Sequence, residues 1–171
     1  MPHVPPRLHV ATPTPTDIVL TRDFAAPRAR VFAALTRPDL LVRWHGARGW
    51  NLVVCEVDLR PGGAWRFVSA GPDGQTMGQS GTYLEVTPPH RLVRTEAFDG
   101  ADDEPAIVTT VLTERRGGTT VSTTVRYPSQ AVRDAMVETP MATGVGQSYA
   151  RLDAVLTADG VAPPDGRAAP P

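Results

Sequence analysis

The amino-acid sequence predicts an α+β fold in which one antiparallel sheet packs against a long C-terminal helix. Three observations carry the prediction. From residue 51 to 127, apolar residues recur with a period of two, in runs separated by turn signals at Pro61-Gly62-Gly63, Pro72-Asp73-Gly74, Pro88-Pro89, Asp99-Gly100 and Gly117-Gly118. Two short stripes of helical spacing precede that region, and a longer one from Met141 to Leu156 follows it. The length of 171 residues suits about one domain. A domain of this size closes a core without disulfides, in keeping with the lone Cys55.

Each element has a local reason. Residues 17–24 alternate Ile18, Leu20 and Phe24 with polar neighbours, which makes a strand. Pro27 opens a helix with the stripe Val31, Phe32 and Leu35; Pro38 stops it and starts a second, carrying Leu40, Leu41 and Trp44. Six strands follow, at about 51–58, 64–70, 77–87, 91–98, 106–115 and 118–127, with connections short enough for consecutive strands to pair antiparallel. Ser129 suits the N-cap of a helix through Val132, Met136 and Val137. Thr139-Pro140 reads as a second cap, so a break precedes the final helix, whose stripe is Met141, Val145, Ser148 or Tyr149, Leu152 and Leu156. A long helix after a curved antiparallel sheet buries its apolar face on the concave side.

Composition removes several function classes. Seventeen basic residues, all Arg, against 18 acidic ones give a net charge of −1, which supplies no global attraction to nucleic acid or anionic lipid. Without Lys there is no Schiff-base chemistry. No apolar run reaches the 18 residues of a membrane span, and a cytoplasmic location is expected. Of the 18 prolines, five lie in 1–16 and four in 160–171; these segments lack apolar periodicity and read as disordered tails around a domain of 17–159.

Several stretches, in this order along the chain, carry a resemblance. They are Arg43-Trp44-His45-Gly46, the run from Glu56 through Pro61-Gly62-Gly63 to Trp65, Gly81-Thr82-Tyr83-Leu84-Glu85-Val86, Pro88-Pro89-His90-Arg91-Leu92-Val93, Thr95-Glu96 and Gln147-Ser148-Tyr149-Ala150-Arg151-Leu152. The chain resembles the activator of heat-shock-protein-90 ATPase homologue-like family, within the START and birch-pollen-allergen (SRPBCC, polyketide cyclase-like) superfamily, over nearly all of 17–158. The resemblance implies a helix-grip fold: a curved seven-stranded antiparallel sheet wrapped around the C-terminal helix, with a cavity between them bordered at its mouth by the two short helices. Two places depart from it. Trp44-His45-Gly46-Ala47 stands where members commonly show Trp-Trp-Gly-Pro, and Thr139-Pro140-Met141 where they show Ser-Gly-Met. The family shares no single chemistry, so function is argued from the site.

Trp44, Trp50, Trp65, Phe67 and Tyr83 are five of ten aromatic residues, and Trp65 and Phe67 share one face of a strand. If that face is concave, they meet Met141, Val145, Ser148 and Leu152 of the last helix. An apolar cavity with polar tips, here the Tyr83 and Ser148 hydroxyls and the indole donors, is the usual form of a small-molecule site; a filled core gives the same pattern. Gly144 and Gly146 leave space beside the last helix or let it pack closely. His45 titrates near neutrality and suits an acid, base or donor at the mouth, or simple packing. It has no metal partner at ligand spacing. Cys55, mid-strand beside Glu56, reads as an inert thiol. Arg94 and Glu96 share strand parity, toward cavity or solvent.

These residues predict binding of a small hydrophobic molecule, a lipid or an aromatic metabolite, with no metal, cofactor or committed catalytic set. The first alternative is a polyketide cyclase or aromatase-like enzyme in which His45 and Tyr83 assist proton transfer at an enol. The second is a chaperone-ATPase-activating interaction module, ranked last. The edge strands of a meander leave homodimer pairing open.

Overall fold

In the computed structural model, which describes residues 6–158, each expected strand forms within one residue of its expected bounds. The strands and helices are β1 (His9–Ala11), β2 (Asp17–Phe24), α1 (Arg28–Thr36), α2 (Pro38–Trp44), β3 (Asn51–Val57), β4 (Ala64–Ala70), β5 (Thr76–Thr87), β6 (Arg91–Phe98), β7 (Ala106–Arg115), β8 (Gly118–Arg126), α3 (Gln130–Val137) and α4 (Met141–Ala158). All strands join one antiparallel sheet in the order β1-β2-β8-β7-β6-β5-β4-β3. From β3 to β8 consecutive strands pair, as expected. β2 instead pairs with β8, from Asp17 opposite Arg126 to Phe24 opposite Thr119, and α1 and α2 carry the chain to β3 at the far edge.

The sheet therefore has eight strands where seven were expected. The additional β1 lies in the segment read as a tail. Proline density misled there, because Pro6 and Pro13 bracket a proline-free stretch in which His9, Val10 and Ala11 pair with Thr21, Leu20 and Val19. An edge strand needs donors on one side only, and Leu8 just before it packs on the core. The tail expected at 160–171 lies outside the described residues.

Helix ends follow their caps. Ser129 Oγ accepts from the Val132 amide at 3.2 Å, as its sequence position suggested. Thr139 does not cap α4. Its hydroxyl donates back to the Met136 carbonyl at 2.6 Å, closing α3, and Pro140 then leads into α4. Among the described residues no helix is long and apolar enough to cross a membrane.

The core sits between the concave face and α4. Phe24, Trp65, Leu112 and Val121 of the sheet meet Tyr149, Leu152 and Leu156 of the helix. Burial of such side chains contributes about 2 kcal/mol each. One ion pair belongs to this interface. Arg22 on β2 is only 5% exposed, donates from Nη1 to Asp153 Oδ1 of α4 at 2.8 Å, and lies 4.5 Å from the Phe24 ring centroid.

Candidate functional site

The cross-strand register places the inward-facing residues. Directly paired residues of an antiparallel sheet point to the same side, and one row runs Tyr83, Arg94, Val108, Val125, Ile18 across five strands. Tyr83, Val108, Val125 and Ile18 are all buried, so Arg94 faces inward with them. Glu96, two residues on and opposite buried Ala106, does the same. The question that strand parity left open is settled: Arg94 and Glu96 look toward α4.

Arg94 is the electrostatic centre of this inner face. Its guanidinium lies 4.2 Å from the Trp65 centroid and 5.7 Å from that of Phe67, an arrangement attractive to a cation. Its Nη2 is 3.5 Å from Glu96 Oε2, and the two side chains keep 19% and 16% of their surface accessible. Burial pushes the Glu96 carboxyl up against the opposing pull of Arg94. Burial likewise raises the hydroxyls of Tyr83, which interacts with Arg94, and of Tyr149, bonded to Thr123; that of Tyr127 is pushed up to about 12 by burial and by Glu96. All three tyrosines are neutral near pH 7.

His45 terminates α2, its amide donating to the Leu41 carbonyl at 2.9 Å. Its ring meets Phe67 edge-on at 5.1 Å between centroids, and its Nδ1 is buried without a hydrogen-bond partner. Burial first, then the charges of Arg94 and Arg151, lower its pKa to about 4. The imidazole is therefore neutral and points into the grip.

The other expected site residues divide. Trp65, Phe67, Tyr83 and Leu152 are buried together. Trp44 is buried as well, but its indole donates to the Ala34 carbonyl at 2.8 Å, and that of Trp65 donates to the Thr95 carbonyl at 3.1 Å. Neither is a free polar tip. Trp65 reaches Thr95 by crossing Gly81, where a Cβ would stand 1.9 Å from the Thr95 oxygen and 2.8 Å from Nε1 of the indole. Ser148 is also committed, accepting from the Gly46 amide at 3.1 Å and lying 3.4 Å from the Trp44 carbonyl. Trp50 lies away from the other rings: it covers Gly71 just past β4, where a Cβ would come within 2.5 Å of its ring. Met141 packs with Ile18 and Val108 in a second cluster, which Val145 links to the first.

The loop between α2 and β3 is tied to α4. Gln147 Oε1 accepts from the Arg48 amide at 3.0 Å, and Arg151 donates to the carbonyls of Gly46 and Trp50 and to Asn51 Oδ1 at 2.8 to 3.1 Å. Along this seam, on the outer side of α4, runs an open groove of about 540 Å³ lined by Arg48, Gly146, Gln147 and Arg151. The space suggested by the helix glycines opens there and not toward the sheet; Gly144 faces Ala47. Burial pushes the Cys55 thiol up, which keeps it protonated. Among the described residues no three metal-ligating side chains gather.

Sequence reasoning named Arg94 and Glu96 without orienting them and overlooked the Arg22 and Asp153 pair and the loop contacts of Arg151. In 91–98 each parity mixes apolar and polar residues, Leu92 with Arg94 and Val93 with Thr95, so alternation names no inner face. The ion pair joins residues 131 apart, with no local signal.

A curved antiparallel sheet gripping a C-terminal helix, with an aromatic inner face, defines a helix-grip protein of the START-like SRPBCC class. The chain belongs to the Activator of Hsp90 ATPase homolog 1-like protein family, whose family model matches residues 25–157. It is similar to a protein of Rhodobacter sphaeroides, with 36% identity over 89% of this chain and 99% of that one and a TM-score of 0.85. A Nitrosomonas europaea protein is 27% identical, covering 88% of this chain and all of its own, with a TM-score of 0.79. A Mycobacterium smegmatis protein is 25% identical over 90% of this chain and 98% of that one, with a TM-score of 0.81. No curated protein matches the chain.

Proposed function

We propose that the protein binds a small, largely apolar molecule between the inner face of the sheet and α4. One observation carries the reading: an aromatic wall of Trp65, Phe67 and Tyr83 encloses a partly accessible Arg94 and Glu96 beside the unpartnered Nδ1 of His45. A largely buried ion pair adds little to stability compared with apolar residues of the same volume, and an orphaned buried nitrogen costs about 1–3 kcal/mol. A bound molecule compensates both. The rings pack closely on one another, so access requires α4 and the loop 45–50 to part. The contacts that resist this are those of Ser148, Gln147 and Arg151 described above. Thermal-shift screening of the full chain against apolar acids, amides and alcohols tests the reading; stabilisation by at least one class, quenched on Trp65→Phe, is expected, and no shift with any class ends it.

A second reading, an enzyme that moves a proton at an enolisable carbonyl, is favoured by the inward placement of both His45 and Tyr83. It ranks lower because an imidazole whose pKa is about 4 is a weak base at neutral pH. Deuterium exchange at the α-carbon of 2-tetralone, followed by NMR, decides it: exchange no faster than the buffer blank excludes this chemistry for that substrate class. Stimulation of a chaperone ATPase, named in the family's description, is supported by no feature of the inner face.

A further inference from the structure

The inward-facing arginines are held in different ways. Arg22 is paired with the Asp153 carboxylate through both terminal nitrogens. Arg94 has aromatic rings over its face, and its ion pair with Glu96 is a single contact of 3.5 Å. A guanidinium takes a carboxylate best through two parallel bonds of about 2.8 Å; beside Arg94 stand the Tyr83 hydroxyl, which interacts with it, and Glu96 on the same strand at a single contact, so among the described residues no carboxylate fills such a fork. Charge nearby has one predominant sign. Arg151, whose charge acts on His45 together with that of Arg94, donates among the described residues to neutral oxygens, those of Gly46, Trp50 and Asn51. Opposing them is Glu96, whose ionised form burial disfavours. The neutral His45 and the hydroxyls of Tyr83 and Tyr149 add polar groups without adding charge.

Resting on the reading that a small molecule binds in the grip, we infer that the ligand is an organic carboxylate. Its carboxylate takes a fork on Arg94 beside the Tyr83 hydroxyl, and its apolar body lies along Trp65, Phe67 and His45. Glu96 then acts as a selectivity element that limits the site to one negative charge. An aromatic acid and a fatty acid share this chemistry and differ only in the shape of the apolar part.

The test titrates the full chain with four probes followed by tryptophan fluorescence and calorimetry: 2-naphthoate and decanoate, with 2-naphthamide and decanamide as their uncharged counterparts. At least one acid is expected to bind about tenfold or more tightly than its amide, the effect of one charge-assisted fork. The better acid identifies the aromatic or the aliphatic source. Arg94→Met is expected to lose that preference, Arg94→Lys to weaken it, and Glu96→Gln to bind the acid at least as tightly as the unmodified chain. Should Arg94→Met not fold, Arg94→Lys and Glu96→Gln carry the comparison. Amides binding as tightly as acids, a folded Arg94→Met with unchanged acid affinity, or loss of acid binding in Glu96→Gln would each overturn the carboxylate inference and leave binding in the grip standing. If none of the four probes binds, while the wider screen finds a neutral ligand, the inference also fails alone; if that screen is blank too, both fail.

Discussion

Arg94 stacks on Trp65 at 4.2 Å from the ring centroid while its terminal nitrogen stands 3.5 Å from Glu96, so this partly buried cation is positioned more by an aromatic face than by its counter-ion. Stacking of this kind contributes about 1–2 kcal/mol when desolvated, and the pair itself contributes little net stability. The double variant Arg94→Met with Glu96→Leu is therefore expected to be as stable as the natural chain or more so by about 1–3 kcal/mol, measured by urea unfolding. A loss above about 2 kcal/mol would show that the pair supports the fold and would weaken the case that it serves a ligand.

The Arg22 and Asp153 pair should behave differently in single variants. Arg22 is 5% exposed, and Asp153→Asn leaves its charge without a carboxylate at the interface of β2 and α4. A loss of about 2–3 kcal/mol is expected, discounted from a fully buried pair because Asp153 is 35% exposed. Replacing both with apolar residues should recover most of it, so a double-mutant cycle checks the claim. Additive losses would mean that the contact carries no coupling energy.

His45 makes stability depend on pH. In the unfolded chain its imidazole takes a proton near the ordinary value of 6.5, and in the folded protein only near 4. Between those values the unfolded state binds more protons, so stability falls as pH drops through this window, by about 3 kcal/mol at most. His45→Gln removes this contribution, and its stability curve should fall less steeply than that of the natural chain from pH 6.5 to 4. Glu96, with its raised pKa, acts in the opposite direction in both proteins and cancels in the difference. Parallel curves would place His45 in a solvated environment.

Gly81 is required by the path of an indole. An added Cβ stands 1.9 Å from the Thr95 carbonyl oxygen, a backbone atom that cannot swing aside. Gly81→Ala is expected to cost about 3 kcal/mol and to shift the emission of Trp65, whose N–H bond to Thr95 runs over the same spot. A variant with unchanged denaturation midpoint and emission would refute the close approach.

Much of the architecture was legible because it is written locally. Ser129 caps α3 through a bond three residues long, Pro38 sits in the first turn of α2, and turns containing Gly or Pro separate β3 to β8 where the period breaks. Less of the site was legible. Of the five aromatic residues named, Trp44, Trp65, Phe67 and Tyr83 are buried together while Trp50 lies over Gly71, and the donors of Trp44, Trp65 and Ser148 are committed to structural hydrogen bonds, because the partner of a polar side chain depends on which backbone oxygen comes alongside it. β1 was hidden by the prolines around it, since an edge strand can be as short as three residues.

By itself the sequence determined the α+β class, the bounds of β2 to β8 and most of the interior aromatic residues, which follow from periodicity and from turn and cap chemistry within a few residues, and the family, which followed from a resemblance in motifs and their order. Only the tertiary structure decided that β2 closes onto β8, that Arg94 and Glu96 face the helix, that His45 is neutral with a free buried nitrogen, and that the glycine side of α4 opens outward. Each of those depends on register between distant strands or on the burial that packing creates, and neither is encoded in any short stretch of the chain.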